Sequence, residues 1–395
     1  MRVRYITHLS KLAGLSEEDR RLLEPVAERY AFRMNSYYES LIDWDDPDDP
    51  LRRLVVPDVS ELRPWGKLDA SNEASYTPVR GCQHKYRDTA LLLVNEVCGA
   101  YCRYCFRKRL FMNDNDDAAI DTSAGLAYIR EHSEITNVLI TGGDPLMLST
   151  RRLAKLIREI AAIPSVRIIR IGTKMTAFNP YRILEDEELL ALPGQVRERG
   201  AQLYFMNHFD HPNELTDVAK QALQRLQSAG AQTVNQCPLV RGVNDDAEAL
   251  TRMFRELSFV GCPQYYLFQG RPTAGNEPYE LPIVEGYQLF NEATRPLSGL
   301  AKRARYAMSH QTGKIEILSI DNRFIYMKYH RAHRVQDIGQ TIIAKRDDEA
   351  YWLDELELVA GPPGAITHAK RATPRSDWRP APTWEGLKPS DPALS

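Results

Sequence analysis

Leu91-Leu92-Leu93-Val94-Asn95-Glu96-Val97-Cys98-Gly99-Ala100-Tyr101-Cys102-Arg103-Tyr104-Cys105-Phe106-Arg107 joins a short apolar run to a loop carrying three cysteines. The apolar run is the first of a series. Val138-Leu139-Ile140, Val166-Arg167-Ile168-Ile169, Leu203-Tyr204-Phe205, Thr233-Val234-Asn235 and Tyr265-Tyr266-Leu267-Phe268 follow it. Between them lie amphipathic stretches at helical spacing, such as Leu153, Leu156, Ile157 and Ile160, or Leu215, Val218, Ala222 and Leu226. After a longer first step, the last four steps average about 31 residues, the size of a βα unit, which predicts parallel strands joined by crossover helices. Six such units predict an α/β fold in the form of a partial (β/α)6 barrel, although a doubly wound sheet fits the same spacing. Either architecture places chemistry at the C-terminal ends of the strands.

Flanking segments read differently. Ser16 before Glu17-Glu18-Asp19 marks a helix start, within an N-terminal helical arm and connector spanning 1–80. The run Asp43-Trp44-Asp45-Asp46-Pro47-Asp48-Asp49-Pro50 cannot be a helix interior, because the prolines restrict their neighbours and the carboxylates repel. The repeat core is expected over 81–300. In a C-terminal segment, 301–360, the period becomes two: Ile315–Ile320 and Phe324–Tyr329 flank Asp321-Asn322-Arg323 and predict a β-hairpin. The Pro-rich tail, 361–395, is expected to lack a core of its own.

Composition excludes several classes. With 51 Lys+Arg against 53 Asp+Glu, the chain has no bulk electrostatic reason to bind nucleic acid or an anionic membrane. No apolar run approaches the roughly 18 residues of a membrane span. The opening Met1-Arg2-Val3-Arg4-Tyr5-Ile6-Thr7-His8 has no signal-peptide h-region, so a cytoplasmic location is expected. Six cysteines in such a chain are not a disulfide framework. Cys82, Cys237 and Cys262 are scattered and read as ordinary thiols, whereas Cys98, Cys102 and Cys105 share one loop.

Three thiolates at C-x3-C-x2-C can face one metal centre from a single loop. Zinc with a distant fourth ligand is one reading, and three unrelated thiols another. A four-iron cubane is the third, and it leaves one iron without a protein ligand. Thr141-Gly142-Gly143-Asp144-Pro145, at the end of the second strand, adds a turn whose glycines permit close approach to a ligand.

The triple, with Tyr104 before its last cysteine, resembles the radical S-adenosylmethionine superfamily. Further stretches resemble lysine 2,3-aminomutase: His84-Lys85-Tyr86-Arg87-Asp88, Asn207-His208-Phe209-Asp210-His211-Pro212-Asn213-Glu214, Asn235-Gln236 and Arg241-Gly242-Val243-Asn244-Asp245. The likeness runs from about residue 30 to about 330. It implies a fold of the radical S-adenosylmethionine type and an isomerase that moves an amino group through a 5′-deoxyadenosyl radical. The implied cofactors are a [4Fe-4S] cluster, S-adenosylmethionine and pyridoxal 5′-phosphate. The implied partners are a small amino acid, an electron donor of flavodoxin or ferredoxin type and a second copy of the chain.

The resemblance also implies roles. Cys98, Cys102 and Cys105 would ligate the cluster. Gly142, Gly143, Asp144, His208 and Gln236 would line the S-adenosylmethionine site. Lys314 would form the Schiff base with pyridoxal phosphate, near Lys85 and Tyr86. Arg107 would clamp the substrate carboxylate, a task suited to a planar fork of donors.

The departures carry information too. The two arginines that hold the cofactor phosphate in the family are here Lys85 and Thr89, which leaves Arg87 as a replacement anchor. The glycine-rich run before the lysine is reduced to Gly313. Where lysine-specific members carry aspartates for the distal ammonium, this chain has Arg271, and Met308 or Ser309. A guanidinium there would repel a distal ammonium, so a non-lysine substrate such as glutamate is expected. A radical enzyme without pyridoxal phosphate (hydrogen abstraction, epimerisation or dehydrogenation) and a zinc-binding or redox-sensing protein are the alternatives.

Overall fold

A computed structural model describes residues 3–112 and 117–366, so the expectation for the tail lies, beyond residue 366, outside the described residues. In the N-terminal arm, the Ser16 hydroxyl accepts from the Asp19 amide and opens the helix Glu17–Arg29. The acidic connector is a run of turns ending at Asp49. Its carboxylate accepts from the Arg52 amide at 2.7 Å, and Pro50 takes the first helical position, where no N–H is needed. The arm is not purely helical, since β1 (Tyr5–Ile6) and β2 (Met34–Asn35) pair antiparallel. Its Leu9, Leu12, Leu51 and Leu54 share one core with Ala90, Leu92 and Val138 of the sheet.

Among the described residues that sheet has twelve strands. It begins with β3 (Cys82–Tyr86), antiparallel to β4 (Thr89–Leu93). There follow β5 (Asn137–Thr141), β6 (Ile168–Thr173), β7 (Gln202–Asn207), β8 (Gln232–Pro238), β9 (Gln264–Phe268) and β10 (Arg305–His310). Each is parallel to the one before. Finally β11 (Gly313–Ile320), β12 (Phe324–Ala332), β13 (Thr341–Lys345) and β14 (Leu358–Ala360) run antiparallel to one another. The class is α/β, as expected.

Two details differ from the sequence expectation. β10 extends the parallel series beyond six strands, and Arg305-Tyr306-Ala307-Met308-Ser309-His310 hides it because polar residues interrupt the run and Tyr306 is its one strongly strand-favouring residue. In the helix Asp217–Ser228 the buried stripe is Ala219, Ala222, Leu223 and Leu226, with Val218 only half-buried. Thr216 caps that helix, so Leu215 lies outside it and the phase shifts by one residue. The stripe Leu153, Leu156, Ile157 and Ile160 is buried as read, each side chain contributing about 1.5–3 kcal/mol relative to exposure.

The sheet curls strongly. Arg331 of β12 reaches the β3–β4 turn, pairing with Asp88 and donating from Nη1 to Thr89 Oγ1 at 3.2 Å. The strap from Asp69 to Thr77 crosses the same opening, where the Tyr76 hydroxyl donates to the Gln311 carbonyl at 2.7 Å.

Candidate active site

The C-terminal ends of the parallel strands surround a cavity of about 350 Å³. Its lining brings together Cys98, Cys102, Cys105, Gly142, Gly143, Asp144, His208, Gln236, Tyr86, Arg107, Arg271 and Lys314, residues singled out from different parts of the sequence. Lys85 is outside that lining and donates to the His310 carbonyl. Burial followed by the Arg271 charge lowers its amine to about 7.

At one end the cysteine loop lies on the glycine turn. Gly143 donates to the Asn95 carbonyl at 2.7 Å and Asp144 N to the Val97 carbonyl at 2.9 Å. A Cβ on Gly143 would stand 2.5 Å from the Val97 oxygen, and Gly142 adopts φ +113°. Only glycine fits both demands. The Asp144 carboxylate is fully engaged, accepting from Leu146 N at 3.0 Å, Thr173 Oγ1 at 2.8 Å and Lys174 N at 2.7 Å. Burial raises its pKa, and raises those of all three thiols. Among the described residues no three His, Cys, Asp or Glu side chains converge on a point for a single metal ion. A cubane gives each thiolate its own iron, so its ligands need no common point.

Beside this loop lies an ionic network that sequence reading missed. Lys174 donates to Asp210 Oδ2 at 2.7 Å and pairs with Glu214 Oε1 at 2.6 Å. The Tyr104 hydroxyl donates to Asp210 Oδ2 at 2.5 Å, and His208 Nε2 lies 3.1 Å from Asp210 Oδ1. The available signal was Lys174 itself, directly after the end of a repeat strand. His211, by contrast, caps a turn by accepting from Asn213 N at 3.2 Å. The three scattered thiols, Cys82, Cys237 and Cys262, are buried.

At the other end, strand register sets Lys314. Ser309 of β10 and Arg331 of β12 are its direct partners on either side. Of the two candidates for the lost aspartate, Ser309 faces the cavity. Met308 points into the core, its sulfur accepting from Leu353 N, as alternation along a strand demands. The Lys314 ammonium lies 3.9 Å from the Tyr266 ring centre. Burial first, then Arg170, Arg331, Arg271 and Lys85, hold its pKa well below the usual lysine value. That shift favours the neutral, nucleophilic form of the amine.

The third wall is cationic. Arg107 is buried and held by Glu73, with Nη2 to Oε1 at 2.7 Å. Arg271 stacks on Phe106 at 3.6 Å from the ring centre. Its Nη1 is buried without a hydrogen-bond partner, and burial lowers its pKa to about 10. The Glu280 carboxyl also lines this wall, and burial raises its pKa well above the usual carboxylate value.

A cysteine triple set against a glycine turn, at the mouth of parallel strands, defines a radical S-adenosylmethionine enzyme. No protein-family model matches the chain. It is 54% identical over 361 residues to a protein of Aquifex aeolicus named "Putative L-lysine 2,3-aminomutase", covering 91% of this chain and 96% of that one. It is 31% identical to the L-lysine 2,3-aminomutase of Fusobacterium nucleatum, over 76% of this chain and 70% of the relative. It is 30% identical to the glutamate 2,3-aminomutase of Clostridioides difficile, with the same coverage. The chain belongs to the lysine 2,3-aminomutase family. It is therefore an aminomutase acting on an amino acid, with a [4Fe-4S] cluster, S-adenosylmethionine and pyridoxal phosphate as cofactors. The zinc-binding and pyridoxal-independent alternatives fall with that membership. The donor set fits these groups: three thiols in one loop, and a buried lysine among cations that lower its pKa. Among the described residues no helix is long and apolar enough to cross a membrane.

Proposed function

We propose that this enzyme moves the amino group between carbons 2 and 3 of an amino acid whose side chain ends in a carboxylate, glutamate being the simplest. Arg271 carries the reading: a guanidinium enclosed in the cavity with an unpartnered Nη1. A buried donor without an acceptor is costly, and a substrate carboxylate would supply the missing acceptor. A distal ammonium would meet repulsion instead. Ser309, in place of a carboxylate, offers such an ammonium no counter-charge.

In this reading Arg107 binds the α-carboxylate through the edge that Glu73 leaves open. Cys98, Cys102 and Cys105 hold the cluster. Gly142, Gly143, Asp144, His208 and Gln236 shape the S-adenosylmethionine site, with Asp144 locking the turn. Lys314 supplies the neutral amine that tethers pyridoxal phosphate, and Tyr86 lies beside it. When bound, the cluster and S-adenosylmethionine supply the radical that takes a hydrogen atom, and pyridoxal phosphate carries the migrating nitrogen. Enclosure by the strap and sheet limits solvent access to the reacting groups and so limits side reactions.

The six parallel strands β4 to β9 form a partial (β/α)6 barrel over 81–300, and the arm 1–80 with the segment 301–360, including β10 and the β11–β12 hairpin, closes its open side. A flavodoxin- or ferredoxin-type donor, a homo-oligomer and a cytoplasmic location complete the proposal. The test is anaerobic turnover with dithionite, S-adenosylmethionine and a panel of amino acids. Glutamate should be converted well ahead of lysine, and lysine turnover equal to or above glutamate would overturn the substrate assignment.

A further inference from the structure

The row Ser309, Lys314 and Arg331 crosses three neighbouring strands on one face. Gly313 makes it tight, since a Cβ there would stand 2.3 Å from the Arg331 carbonyl. The Arg331 guanidinium lies 4.5 Å from the centre of the Tyr86 ring and donates to Thr89 Oγ1. The Tyr86 hydroxyl is buried and has no partner. Arg170, from β6, is held through Nε by Asn137 Oδ1 at 2.8 Å, and its side chain lines the same cavity. The strongest charged neighbours of Lys314 are all cations, led by Arg170 and Arg331. Asp88, the carboxylate that pairs with Arg331, is itself 56% exposed and so largely screened by water.

We propose that Arg331, with Arg170 and the Tyr86 hydroxyl, forms the phosphate subsite for pyridoxal 5′-phosphate bound at Lys314. A phosphate dianion answers both the surplus positive charge and the idle hydroxyl, and guanidinium groups match its oxygens. The inference rests on the reading that Lys314 holds this cofactor, and it says what grips the other end. It also accounts for the departures at Lys85 and Thr89. Lys85 turns to the His310 carbonyl, and Arg331 folds onto the threonine, so a guanidinium from β12 stands beside the position where β4 lacks one. Arg87, the replacement suggested by sequence, is exposed and outside the cavity lining.

The test compares pyridoxal 5′-phosphate with pyridoxal, which lacks the phosphate. Each is titrated by visible absorbance into the cluster-loaded protein, then trapped with borohydride and located by peptide mass. Wild type should prefer the phosphate ester strongly. Arg331→Ala should weaken its binding about 10- to 100-fold, the range for lost charge-assisted hydrogen bonds, while leaving pyridoxal affinity unchanged. Arg331→Lys should lose less, Arg331→Ala with Thr89→Arg should recover part of the preference, and Arg87→Ala should match wild type. Iron and sulfide content per chain certifies that each variant is folded. If folded Arg331→Ala keeps the wild-type preference, or Arg87→Ala abolishes it, the subsite is wrong. Equal affinity of wild type for both compounds would sink it alone, whereas failure to take up either at Lys314 would also sink the functional reading.

Discussion

Glu73 holds Arg107 side-on: Arg107 Nε lies 3.1 and 3.2 Å from the two carboxylate oxygens, and Nη2 lies 2.7 Å from Oε1. The same carboxylate accepts from Arg109 Nη2 at 2.6 Å. One buried anion thus orients two guanidinium groups, 34 and 36 residues further along the chain. Removing it by Glu73→Ala leaves the buried Arg107 without its ion-pair partner, while Arg109 keeps Asp117 at 2.6 Å, and should cost about 3–5 kcal/mol. Thermal unfolding should show a clear drop in Tm, with KM for substrate raised more than kcat falls. A Tm within a degree or two of wild type would mean that the network does not matter.

The same pair predicts a pH dependence. Burial pushes the Glu73 carboxyl up, but Arg107 and Arg109 together outweigh it and hold it well below the usual carboxylate range. A depressed carboxylate stabilises the fold above its unfolded pKa, and that stability is lost as pH falls below about 4.3. Wild type should therefore lose stability more steeply than Glu73→Gln in that acid range. Parallel curves from denaturant unfolding at each pH would refute the assignment.

Lys314 should react with pyridoxal phosphate near neutral pH. Burial, then the surrounding cations, depresses its pKa, so the neutral amine is abundant where exposed lysines, titrating near 10.4, are protonated. Borohydride trapping should label Lys314 selectively at neutral pH and level off as pH rises, while labelling of other lysines keeps climbing. Lys314→Ala should abolish the selective label. A label that follows the titration of an ordinary lysine would contradict a depressed pKa.

Arg271→Asp reverses the charge at the distal end of the cavity. Glutamate conversion should fall about 10- to 100-fold in kcat/KM, as expected for losing a charge-assisted hydrogen bond. Lysine conversion should rise relative to glutamate. If the ratio of the two substrates does not move, Arg271 is not the selecting residue.

Gly143→Ala tests the seat of the cluster. Its Cβ would stand 2.5 Å from the Val97 oxygen, a backbone atom with little room to yield, directly before Cys98. Reconstituted protein should bind fewer than four irons per chain and show weaker absorbance of the cluster. Full iron content would show that the turn can shift without disturbing the thiols.

Much of this enzyme is written locally. β-branched runs recurring at the spacing of βα units announce parallel strands, because side-chain shape and short-range connection length are properties of neighbouring residues. The cysteine triple is legible for the same reason, since three thiols within one loop need no distant partner to be seen together. β10 escaped because its residues carry no such shape, and is a strand only by pairing with β9 and β11.

Charge compensation belongs to a different level. Glu73 beside Arg107, Lys174 between Asp210 and Glu214, and Arg331 on Thr89 join segments separated by up to 242 residues. Nothing in either segment signals the other, because which side chains meet depends on register, on the alternation that turned Ser309 inward and Met308 away, and on how far the sheet curls. The chain's pattern announces a parallel α/β enzyme with a metal-binding loop. Folding decides where its positive charge gathers, because only close approach in a cavity shielded from water makes opposite charges attract strongly enough to select a cofactor end or a substrate.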